Sequence, residues 1–87
     1  MTQRDPYEMP PGLVVPPAYH STLRKRLAEV GTASSATNCL IAQARAEGLV
    51  EALETVTHGI SPVYIERLYL LIEQATTARL LELERLQ

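Results

Sequence analysis

Few side chains in this 87-residue sequence are placed to do chemistry, and the best placed are Glu51, Glu54 and His58. On a helix they fall at i, i+3 and i+7, so two carboxylates and an imidazole could approach a metal ion from one side. Helical metal motifs use other spacings. These three residues read better as a solvent-facing acidic strip, ended by a histidine that suits the negative end of a helix dipole. Cys39 and His20 offer a nucleophile and a base, but no spacing relation brings them together. Cys39 instead stands in a run of small residues, where it serves as one more of them. A phosphate-binding glycine loop, paired zinc cysteines and H-E-x-x-H are all absent from the sequence. The expectation is no enzyme, no cofactor and no metal.

Charge leads away from nucleic acid. The formal net charge is −2, with eight Lys or Arg against ten Asp or Glu, and the stretch from Cys39 to Gln87 carries four Arg against seven Glu. Non-specific affinity for DNA comes from clustered cations that displace counterions, and the one cluster is Arg24-Lys25-Arg26. The segment from Arg24 to Ala44 has the order of a helix-turn-helix. Its second helix offers Asn38 and Gln43 but no basic residue before Arg45, where base and phosphate contacts need several. A small DNA-binding regulator is the alternative class this segment leaves open. A single cysteine excludes an internal disulfide, and no apolar run approaches the ~20 residues of a membrane span. The expected location is the cytoplasm, with no membrane contact.

The elements that must position these residues are helical. Residues 1–20 hold five of the six prolines and predict an extended leader, made more apolar than a solvating linker by Tyr7, Met9, Leu13, Val14, Val15 and Tyr19. The rest, 21–87, predicts one small all-α domain with helices over about 21–30, 36–57 and 62–85, the last two forming an antiparallel hairpin. Ser21 would cap the first helix, with Leu23, Leu27 and Val30 on its inner face and Gly31 ending it. In the second, Cys39, Ala42, Ala46, Leu49, Leu53 and Val56 repeat at 3,4,3,4,3, a heptad seam facing another helix. Gly48 costs that helix ~1 kcal/mol relative to alanine, which marks either a close approach or a weak point. His58-Gly59-Ile60-Ser61-Pro62 is a stop followed by a start. Gly59 suits the position after a helix, Ser61 caps the next one, Pro62 fits its first turn, and Ile60 with Ile65 can staple the cap.

The third helix has two apolar sides. At 100° per residue, Tyr64, Ile65, Leu68, Leu71, Ile72, Ala75, Ala78, Leu83 and Leu86 make one broad face, while Val63, Leu70 and Leu81 line up nearly opposite, among Arg67, Gln74 and Glu84. Tyr69 and Leu80 widen the first face on its flank, leaving a polar strip at Glu66, Glu73 and Thr77. A helix apolar on two sides has two neighbours. One is the second helix; the other is the first helix, the leader or a different chain.

The order helix, Gly59-x-x-Pro62, helix, with Ile65, Leu68, Ala75 and Ala78, resembles the small needle-subunit cochaperones of type III secretion. It covers about Leu49 to Leu86 and implies a helical hairpin that holds an aggregation-prone partner on a second apolar stripe. Members typically carry a tyrosine three residues after the proline, where this sequence has Ile65 with the tyrosine at Tyr64; the Pro-rich leader is also outside that pattern. The residues themselves point to an adaptor, inhibitor or chaperone that binds another protein, or a second copy of itself. Val63, Leu70 and Leu81 would form the surface and Tyr69 an aromatic anchor.

Overall fold

A computed structural model describes residues 17–56 and 60–86. Three helices account for the fold: α1 (Pro17–Gly31), α2 (Ala36–Val56) and α3 (Pro62–Arg85), with no strand among the described residues. They run up, down, up. Tyr19 meets Leu49 at one end of the α1–α2 pair and Val30 meets Cys39 at the other; Cys39 also meets Thr76, which sets α3 antiparallel to α2. All three helices pack pairwise. Among the described residues no helix is long and apolar enough to cross a membrane.

α1 begins four residues earlier than the sequence predicts. Pro17 takes the first turn, where its missing N–H costs nothing, and Ser21 lies inside the helix rather than capping it. Tertiary burial explains the extension: Tyr19 packs on the core and its hydroxyl donates to the Leu49 carbonyl at 3.3 Å, so the turn that carries it is held helical. Residues 17–20 thus belong to the helical domain, and the rest of the expected leader lies outside the described residues. At the far end Thr32 closes on the Ala28 carbonyl through both its N–H and its hydroxyl, at 3.0 and 2.9 Å. Ser35 then caps α2 by accepting the Asn38 N–H at 3.1 Å.

The core divides into two clusters. The larger joins Leu23 and Leu27 of α1, Ala46, Val50 and Leu53 of α2, and Tyr64, Ile65, Leu68 and Ile72 of α3; the smaller joins Val30, Ala33, Cys39 and Ala42, with Ala75, Leu80 and Leu83 packed against it. The seam of α2 therefore departs from the heptad expectation. Val50 is fully buried, Leu49 is half-buried on the flank, and Val56 is 75% exposed. A straight helix drifts about 20° per heptad from a 3.5-residue repeat, so a strict heptad line walks off the contact by the last turn. The expected face of α3 holds from Tyr64 to Ala75, whereas Ala78 and Leu86 are exposed. Thr76 takes a buried place the apolar pattern did not assign it; its hydroxyl is satisfied by the Ile72 carbonyl at 2.8 Å.

Gly48 resolves to a weak point. A Cβ added there would meet nothing within 4 Å, so no close approach requires glycine. Gly48→Ala is expected to stabilise the fold by about 1 kcal/mol, read as a rise in urea midpoint with an unchanged slope. A fall in that midpoint would show that α2 has a close neighbour at Gly48.

Candidate interaction surface

Ser61 sets the orientation of α3. Its hydroxyl accepts the Val63 N–H at 3.2 Å, Pro62 occupies the first turn, and Ile60 packs against the cluster containing Ile65, as a staple requires. With the cap fixed, Tyr64, Ile65, Leu68 and Ile72 turn inward and the opposite side turns out. Val63, Leu70 and Leu81 are then 54%, 51% and 52% exposed. They lie within about 20° of one line and span 18 residues, which is five turns or about 27 Å. Between Leu70 and Leu81 is a shallow open depression of about 340 Å³, lined by Leu70, Glu73, Gln74, Thr77, Ala78 and Leu81. Those residues are two successive i, i+3, i+4, i+7 sets, the pattern that receives a side chain from a facing helix.

Charge frames this stripe unevenly. Glu66, Glu73 and Glu84 follow one edge, Arg67 and Arg85 the other, all five are exposed, and among the described residues none of them is ion-paired. Arg79, by contrast, is used internally: its Nε donates to the Ala33 carbonyl at 2.9 Å and its guanidinium lies 3.8 Å from Glu82.

Tyr69 sits elsewhere. It is half-buried and packs against the larger cluster, within electrostatic reach of Glu54 of α2. Burial raises its pKa first, and the carboxylates of Glu54, Glu51 and Glu47 add to the rise. It joins α3 to α2 and is not part of the outward stripe. Burial likewise raises Tyr64, and lifts Tyr19 from 10.0 to about 12 with help from the neighbouring Tyr64 and Tyr69. Because the folded pKa lies above the unfolded one, the Tyr19 contribution is intact below pH 10 and is lost as pH rises towards about 12. Phenolate absorbance of the folded protein is expected to develop at higher pH than that of the same chain in denaturant. Coincident curves would contradict the docking of Tyr19.

The remaining candidates for chemistry do not converge. Cys39 is fully buried, its thiol 3.9 Å from the carbonyls of Val30 and Thr76; burial pushes its pKa up and Arg79 offsets part of that. His20 stands ten residues before Val30 on α1, about 15 Å along the helix from the end that Cys39 touches. Its Nε2 is buried and has no hydrogen-bond partner among the described residues. His58 lies outside the described residues, while Glu51 and Glu54 are exposed on α2. Among the described residues no three His, Cys, Asp or Glu are grouped to hold a metal ion. Of the helix-turn-helix candidates, Arg26 pairs with Glu29 at 2.9 Å, Asn38 bonds to Ser34 at the surface, and Gln43 is half-buried, while Arg24, Lys25 and Arg45 are exposed. Glu29 also reaches Arg45 at 3.7 Å, and the Arg26 hydrogen bond, followed by the charge of Arg45, holds its carboxyl below the usual range.

Comparison with known proteins gave no matching family model, no matching curated protein and no matching solved structure. The likeness to type III needle cochaperones thus rests on the Gly-x-x-Pro turn and the helix spacing alone.

Proposed function

We propose that this is a non-enzymatic interaction protein of the adaptor, inhibitor or chaperone type, which binds another protein chain helix to helix through the outer face of α3. The observation that carries it is the line of Val63, Leu70 and Leu81, each about half exposed, on the side of α3 turned away from the core. Half-exposed single apolar residues are ordinary on a protein surface. Three in register over five turns, around holes of helix-receiving spacing, are the features of a contact surface.

Leu70→Glu is the test. It places a charge mid-stripe without touching the core, so helical circular dichroism and the melting of the monomer should stay as they are while capture of the partner from native extract, or self-association, is lost. If the variant behaves as the parent in all these respects, the reading fails. Binding of duplex DNA at low salt, falling steeply as salt is added, would instead favour a DNA-binding regulator.

A further inference from the structure

We propose that the chain covering the outer face of α3 is a second copy of this protein, with the two α3 helices side by side, parallel and in register. The inference rests on the contact reading above and names its partner. The argument is charge complementarity. Glu66 and Arg67 are consecutive, so they point about 100° apart, and the line of Val63, Leu70 and Leu81 runs between them; Glu84 and Arg85 straddle the same line in the same sense. At both pairs the acidic residue is on one edge and the basic one on the other, while Glu82, further round on the basic side, is held by Arg79.

In a parallel two-fold pair, one edge of a helix faces the opposite edge of its mate. Arg67 then lies beside Glu66 of the other copy and Arg85 beside Glu84, each contact occurring twice by symmetry. Val63, Leu70 and Leu81 meet their own counterparts. The holes around Thr77 receive Gln74 and Thr77 of the second copy, a polar layer of the kind that fixes register in paired helices. An antiparallel pair behaves oppositely, because each edge then faces its own kind. Setting Leu70 against the Thr77 depression brings Glu73 onto Glu73 at the two-fold axis and Glu66 towards Glu84, while Arg67 and Arg85 share the other edge. Like charges at that range are repulsive. Size adds a second motive, since a chain this short buries a small fraction of its surface and gains by association.

The test uses the full chain and two readouts. Sedimentation should show a concentration-dependent dimer. Leu70→Glu should raise its dissociation constant at least about 100-fold, with circular dichroism and melting of the monomer retained. Glu66→Arg and Arg67→Glu should each weaken the dimer, and the double exchange should restore it. For direction, Val63→Cys and Leu81→Cys are made separately. In the proposed arrangement each cross-links with itself on mild oxidation. An antiparallel pair leaves each variant alone uncross-linked and joins them only when mixed, which would overturn the proposal. A chain that stays monomeric at high concentration would overturn it as well. In that case Leu70→Glu still separates the two readings, since capture of a different protein lost with the variant leaves the contact surface standing, and capture unchanged removes both.

Discussion

Ile72→Ala is expected to cost about 2–5 kcal/mol of unfolding free energy, among the largest losses from a single side chain in this fold. Ile72 has no exposed surface and belongs to the cluster that joins α1, α2 and α3. Truncation removes three heavy atoms of apolar side chain and leaves a void bounded by neighbours that cannot collapse without moving a helix. Small domains have only about 5–15 kcal/mol in total, and one kcal/mol moves the melting temperature of a chain this size by about 4–8 °C. The variant should therefore melt well below the parent, with a loss shared by every helix because all three meet at that cluster. Ile72→Val, which keeps most of the volume, should lose about 0.5–1.5 kcal/mol. Equal losses for the two would mean that something other than cavity formation governs the site.

Arg79→Met comes second, with an expected loss of about 1.5–3 kcal/mol. The Nε of Arg79 crosses from α3 to the Ala33 carbonyl, in the turn between α1 and α2, and its side chain is only 18% exposed. Methionine keeps the apolar stem but removes the charged donor and leaves that carbonyl without its partner. The comparison with Glu82→Gln separates the two contacts. The 3.8 Å pair with Glu82 involves a carboxylate that is 56% exposed, so its removal should cost little. Urea titration of the three proteins would check the order. If Glu82→Gln equalled Arg79→Met, the ion pair and not the carbonyl bond would be what holds α3 to the turn.

Much of the candidate surface could be read from residue order. Ser61 and Pro62 fix where α3 starts, and once a helix starts at a known residue, 100° per residue tells which side each later residue faces. That is why Val63, Leu70 and Leu81 are found outside where the spacing puts them. Tyr69 could not be sorted this way. Its angle puts it on the flank of α3, and its packing against the cluster shared with α2 is what turns it into a link between helices rather than a free anchor. The use of Arg79 was equally hidden, because Ala33 lies 46 residues away and a carbonyl acceptor leaves no mark on a sequence.

Local chemistry in the sequence determined three helices, the start of α3, and the two-sided character of α3, because caps, prolines and apolar periodicity act within a few residues. The tertiary structure decided what depends on a third body. It extended α1 back to Pro17 by giving Tyr19 a place to dock, put Val50 rather than Leu49 on the inner line of α2 and left Val56 exposed, and buried Thr76. Each of these follows from the angle at which a neighbouring helix arrives, and that angle is set by packing among all three helices, which no single segment encodes.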